Sequence, residues 1–148
     1  MKNILPPILF LIFVVVMGVI CWMMGSPHNI SGYYTMIGLP FVIIGFLLTL
    51  VGKSLFKRLG TNIMTFDKPD LLVMEGVFNY SRNPMYLGFV IALFGFSLLM
   101  GGAISSFFLV GLFFIITDRW YIAFEEQAMI SKFGLQYEEY CHKVRRWI

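Results

Sequence analysis

Apolar and polar residues come in long blocks along this chain rather than in short alternations. The first block, "ILPPILFLIFVVVMGVICWMMG", fills residues 4–25, and the second, "YYTMIGLPFVIIGFLLTLVG", fills residues 33–52. About 20 apolar residues in a helix cross the hydrocarbon core of a bilayer, so each block predicts one transmembrane helix. A third uncharged block covers residues 85–117, too long for a single span. "MGGAIS" interrupts it at residues 100–105, and the Gly-Gly pair predicts a tight turn between two helices, at about 84–101 and 103–124. The fold class expected is therefore an all-α integral membrane protein of about four transmembrane helices, forming one domain over residues 1–148. Lys2 ahead of the first block resembles a signal peptide, but the apolar core is too long and "MMGSPHN" has no small-x-small cleavage site. It reads as a retained first span.

Charge sharpens this picture. The chain is 59% hydrophobic and 13% charged, with a mean hydropathy of +0.82, which excludes an ordinary soluble domain. The loops "SPHNISG" and "MGGA" carry no charge, and all eleven Lys/Arg and eight Asp/Glu fall before the first span, between residues 53 and 82, or from Asp118 onward. The positive-inside rule then puts both termini and the 53–83 loop in the cytoplasm. No ionisable residue lies mid-span, so the usual mark of an ion channel or proton relay is missing. Cys21, Cys141, His28 and His142 show no metal-ligand spacing. Free thiols and no metal site are expected, and no nucleic-acid partner.

The chemistry must sit on the charged face. Gly60, Pro69 and Gly76 punctuate the 53–83 loop, and "LLVMEGVF" suits a short extended or interfacial segment. Asn83 followed by Pro84 predicts a helix start, with Asn at the cap and Pro at the first helical position. The free N–H groups of that first turn beside Arg82 make a seat for a carboxylate or phosphate. The competing reading is that Arg82 snorkels to lipid headgroups and Asn83 merely caps. Glu125 and Glu126, adjacent on a helix, point about 100° apart and do not form an acid–base dyad; one can face inward and the other water or a basic neighbour. Within the 125–148 tail, Tyr137, Tyr140, Cys141 and Val144 repeat at helical spacing, predicting an amphipathic helix on the membrane surface. Lys143, Arg145, Arg146 and Trp147 are expected to anchor it to anionic headgroups.

"GVFNYSRNPMYLG", a hairpin of spans, and then "EEQAMISKFGLQYEEYCHKVRRWI" together resemble the isoprenylcysteine carboxyl methyltransferase and phospholipid methyltransferase superfamily, in its small bacterial form. Its pattern of Arg-His-Pro-x-Tyr-x-Gly, Glu-Glu and Phe-Gly-x-x-Tyr-x-x-Tyr reads here as Arg82, Asn83, Pro84, Tyr86 and Gly88, then Glu125-Glu126, then Phe133, Gly134, Tyr137 and Tyr140. The resemblance runs from about Gly60 to the end of the chain. It implies S-adenosylmethionine as methyl donor, bound at the cytoplasmic face of what would be the bacterial inner membrane. It also implies a lipophilic acceptor, whether carboxylate, thiol or phospholipid amine.

By the same resemblance Arg82 and the helix start would hold the donor's carboxylate, and Glu125 or Glu126 its ammonium or ribose. Met85 and Tyr86 lie in the same first turn. Gly88 would admit close approach of the cofactor or of a facing helix. Asn62, Leu71, Leu72, Val73 and Phe78 would line the pocket from upstream. Asn83 departs from the family histidine. Tyr121 stands where the prenylcysteine enzymes have a substrate-facing Arg, leaving Arg119 as the nearest candidate substrate contact, with Asp118 or headgroups as competing partners. Two other functions fit the architecture. An NADPH-dependent reductase would need a basic cluster, for which Lys53, Lys57 and Arg58 are available, and a non-catalytic scaffold would lack Arg82 or the Glu pair.

Overall fold

The computed structural model describes residues 4–23, 29–30, 32–61 and 71–148. Among these every regular element is helical. Helix α1 covers Pro6–Met23; a 3-10 turn over Gly32–Ile37 leads into α2, Gly38–Arg58. A second short turn, Gly76–Asn79, precedes α3, Pro84–Leu99. Helix α4 (Ile104–Ile116) passes through a π-helical turn, Thr117–Ile122, directly into α5 (Ala123–Phe133), and α6 covers Leu135–Lys143.

Among the described residues three stretches are long and apolar enough to cross a membrane: Pro6–Met23, Gly32–Arg58 and Ile104–Phe133, while Pro84–Leu99 is apolar but shorter. The second of these runs past its expected end at residue 52, because Lys53, Lys57 and Arg58 suit a helix C-terminus and continue α2 beyond the apolar zone. The Gly-Gly turn forms as its composition requires. Gly101 and Gly102 both have positive φ, at 88° and 63°, a region closed to most side chains.

Helices α2 and α3 run antiparallel in backbone contact. A Cβ added at Gly95 would stand 2.7 Å from the Gly38 carbonyl oxygen, and one at Gly88 2.5 Å from that of Gly45. Glycines at these positions let two helices close to a distance that any side chain would prevent. Thr49 bridges the pair, its hydroxyl donating to the Met85 carbonyl at 3.2 Å. Helices α1, α3 and α4 meet around Met17, Leu93 and Phe113, all fully buried, with Phe10 stacked on Phe89 at 5.1 Å between ring centroids.

Long-range hydrogen bonds fix which ends lie together. At one end Ile30 N–H donates to the Gly101 carbonyl at 3.0 Å and Asn29 to that of Gly102 at 2.9 Å, joining the two uncharged loops. At the other, the Tyr121 hydroxyl donates to the Ile4 carbonyl at 2.9 Å. The start of α1, the end of α2, the start of α3, and α5 with α6 thus share one end, the end that carries the charges.

The apolar face of α6 is covered by protein, contrary to the expectation of a helix resting on lipid. Tyr137, Tyr140 and Val144 are buried against Leu72, Met129 and Phe133. Periodicity reveals that a face is buried but not what buries it.

Candidate active site

A cleft opens at the charged end, enclosed by the end of α2, the 72–86 segment, α5 and α6. Leu72, Val73 and Phe78 line it, followed by Arg82, Asn83, Pro84, Met85 and Tyr86, and then Glu125 and Glu126 from the opposite helix. Asn62 lies outside the described residues. Leu71 is exposed and not part of the lining. Gly88 is placed against Gly45 and Thr49 of α2, which is the facing-helix alternative of its two expected roles. Arg119 is 84% exposed and pairs with Asp118 at 3.6 Å; it too is outside the lining.

The cleft also includes Phe56, Met129, Tyr137 and Tyr140, which the sequence had not assigned to it. Met129 follows Glu125 and Glu126 at four and three residues, a helical spacing that puts all three on neighbouring faces. Phe56 meets Phe78 edge-on at 5.3 Å; nothing local in the sequence marks that pairing.

The chain enters α3 as expected, with Asn83 at the cap position and Pro84 in the first turn, but the Asn83 side chain makes no capping bond. It donates instead to the Arg146 carbonyl at 3.0 Å, while the Ser81 hydroxyl accepts from Asn83 N–H at 3.1 Å. The Arg82 N–H donates to the Arg145 carbonyl at 3.1 Å. Residues 145–147 are therefore tied to the mouth of the cleft rather than spread on headgroups.

Glu125 and Glu126 take different partners. The Tyr86 hydroxyl donates to Glu125 at 2.8 Å. Glu126 pairs with Arg82 Nη1 at 3.1 Å, the two side chains being 13% and 12% exposed. Arg146 also grips Glu126, with Nε at 3.2 Å from Oε1 and Nη2 against Oε2, and reaches Asp118 at 3.3 Å. The π-helical turn just upstream sets this orientation. Thr117 donates its hydroxyl to the Phe113 and Phe114 carbonyls at 2.9 Å each, and the widened turn changes the direction in which every later residue points. Such turns concentrate at functional sites.

Arg82 Nη1 also contacts Cys141 Sγ. Its Nε is buried with no hydrogen-bond partner among the described residues, an expensive condition for a cationic group. Tyr140 donates to the Phe78 carbonyl at 2.6 Å, fastening α6 to the loop. Burial, and then the nearby Glu126, raise the Tyr137 phenol above its ordinary pKa; burial does the same for Tyr140. Both phenols remain neutral, Tyr140 donating to Phe78 and Tyr137 accepting from Arg82 Nη1 at 3.5 Å. For Arg146, desolvation works against the charge, but Glu126 and Asp118 outweigh it and its pKa is raised. Cys21 and Cys141 are free thiols.

Over residues 33–136 the chain matches the family described as phospholipid methyltransferase. It is similar to protein-S-isoprenylcysteine O-methyltransferase of Schizosaccharomyces pombe, 38% identical over 79 residues, covering 53% of this chain and 33% of the relative. The enzyme of that name from Saccharomyces cerevisiae is 33% identical over 113 residues, 74% of this chain and 46% of the relative. Protein-S-isoprenylcysteine O-methyltransferase B of Arabidopsis thaliana is 31% identical over 110 residues, 72% and 55% respectively. The chain thus spans from a third to just over half the length of these relatives. No solved structure matches it significantly.

Proposed function

From the premise that the chain belongs to the phospholipid methyltransferase family, we propose that it is an S-adenosylmethionine-dependent membrane methyltransferase. Its acceptor is lipophilic, and the cleft at its charged end is the donor site. Four spans with both termini and the cleft on the cytoplasmic side complete the reading, supported by the uncharged, mutually bonded loops at the opposite end.

The observation that carries the assignment is the Arg82 Nε, buried in the cleft without a partner among the described residues. An α-carboxylate is the acceptor that a guanidinium edge fits best. The charge balance fits the rest of the donor. In the lining, Glu125 and Glu126 against Arg82 leave one net negative charge when all are ionised. A ligand with a sulfonium, an ammonium and one carboxylate is net positive by one.

When bound, the donor supplies a methyl group on a cationic sulfur, which an acceptor lone pair displaces in line while the sulfur keeps the bonding pair. The protein's own residues then position and exclude water. Arg82 and the N–H groups of the first α3 turn hold the carboxylate. Glu125, fixed by Tyr86, faces the positive end. Tyr137, Tyr140, Phe78 and Val73 close the walls. An acceptor that is already a carboxylate or thiolate needs no base. Tyr121, committed to the Ile4 carbonyl, offers no cation to an acceptor's carboxylate, which weighs toward a thiol or phospholipid amine.

The test is calorimetric binding of S-adenosylmethionine to the protein in nanodiscs, with NADPH alongside and the Glu125→Ala variant as control. Saturable donor binding, lost in the variant, is expected. NADPH binding instead would sink the proposal. A reductase lacks support in the cleft, since Lys53, Lys57 and Arg58 are absent from its lining and Arg58 is paired with Glu75 at 3.0 Å.

A further inference from the structure

We propose that Arg146 is a positioning residue that keeps the Arg82 guanidinium available to the donor by holding Glu126 away from it. The inference rests on the donor site proposed above and deepens it. Glu126 stands between two arginines. It meets Arg82 through Oε1 alone, at 3.1 Å, because Arg146 takes both carboxylate oxygens in a two-pronged contact. With Glu126 so held, Arg82 Nε has no partner among the described residues.

A guanidinium facing a free carboxylate prefers two parallel N–H···O bonds. Without Arg146, Glu126 would be free to swing from Nη1 to the Nε–Nη2 edge of Arg82, where a carboxylate makes both bonds, and the donor's carboxylate would lose its seat. Arg146 does not touch the donor in this arrangement; it acts through Glu126.

Its placement is built, not incidental. The Arg146 carbonyl accepts from Asn83 at 3.0 Å. Asp118 accepts from both the Arg146 guanidinium at 3.3 Å and the Trp147 indole at 2.8 Å. Trp147 lies against Phe114, with ring centroids 4.6 Å apart. An anchor on lipid headgroups would need neither these bonds nor the carboxylates.

The readout follows from which part of the ligand Arg82 would hold. Three probes share the adenosine and thioether or sulfonium core: S-adenosylmethionine, S-adenosylhomocysteine and 5′-methylthioadenosine. The last lacks the amino-acid moiety. Binding of each to the full chain in nanodiscs is measured for wild type, Arg146→Ala and Arg146→Lys, with thermal unfolding recorded in parallel. In Arg146→Ala the first two probes should weaken by about ten- to hundredfold, the worth of hydrogen bonds to a charged group, and methylthioadenosine should be unchanged. Arg146→Lys keeps the charge but loses the fork, so it should recover part of the loss, and it carries the test if the alanine variant does not fold.

Equal weakening of all three probes would mean that Arg146 merely supports the fold, and no weakening of any would mean that it does nothing at the site; either overturns the inference. A wild-type protein that binds none of the probes removes the donor site itself, a failure recognised before any variant is made.

Discussion

Replacing Gly45 by Ala tests the helix contact on which the cleft is built. An added Cβ would lie 2.5 Å from Ala92 N and 2.8 Å from Ala92 Cβ, and closer still to the Gly88 carbonyl oxygen. Backbone atoms cannot swing aside as a flexible side chain does. Restoring ordinary contact would part α2 and α3 by roughly 1 Å, a gap that forfeits a quarter to a half of the dispersion energy along it. Overpacking of this kind costs about 1–3 kcal/mol. Loss of the Thr49–Met85 bridge adds about 0.6 kcal/mol, a typical interhelical hydrogen bond in a membrane. The opposing gain, Ala over Gly in a helix, is at most about 1 kcal/mol, so destabilisation wins. At about 2–4 °C per kcal/mol for a chain of this size, the melting temperature should fall by several degrees.

Two other glycines calibrate the result. Gly111 meets nothing within 4 Å, so Gly111→Ala should be neutral or stabilising. Gly52 faces the Met85 side chain, with Cγ at 2.8 Å, and Gly52→Ala should fall between. Cys21 is 8% exposed, so its labelling by a thiol-reactive probe on heating, read by mass spectrometry, reports unfolding of the bundle. If Gly45→Ala melts as high as Gly111→Ala, the backbone contact between α2 and α3 is refuted.

Arg82→Ala and Glu125→Ala should each weaken donor binding by about 2–5 kcal/mol in calorimetry, since each strands a charged partner in a partly dehydrated cleft. Tyr86→Phe removes the hydroxyl that donates to Glu125 at 2.8 Å and should weaken donor binding by about 1–3 kcal/mol without lowering the melting temperature. Arg119→Ala, at a side chain 84% exposed, should leave binding and methyl transfer within about twofold of wild type. Gly102→Ala forces a side chain onto a φ of 63° and should lower stability by about 1–2 kcal/mol in thermal unfolding while donor affinity stays unchanged.

The helices and the position of the cleft were legible because both follow from local signals. Long apolar runs need helices in a bilayer, and Asn83-Pro84 needs a helix start. The glycine contact was less so. Gly38, Gly45 and Gly52 recur every seven residues on α2, and Gly88 and Gly95 do so on α3, a spacing that keeps small residues on one face of each helix. The spacing was there to be read, but which helix it would meet depends on tertiary pairing. The same limit explains the tail. Arg146 and Trp147 have the composition of a headgroup anchor, and composition cannot reveal that Asn83, Glu126 and Asp118 lie within reach to bind them.

Adjacency in sequence gave Glu125 and Glu126 different directions, yet it could not say that each would find its own use inside one cleft. Helical geometry alone would let one of them turn to water. The π-helical turn at Thr117–Ile122 and the return of residues 145–147 together make both inward positions tenable. The turn re-aims the helix so that Glu125 meets Tyr86, and Arg146 supplies the cation that a second buried carboxylate requires. Without Arg146, Glu125 and Glu126 would share Arg82 alone, and the repulsion between them would drive one out or protonate it. With both glutamates inward, the lining carries one net negative charge when all are ionised, beside an Arg82 Nε that has no partner among the described residues. In the proposed donor site that combination would select a ligand with one more positive than negative group and a carboxylate among them, a stricter filter than either glutamate or Arg82 imposes alone.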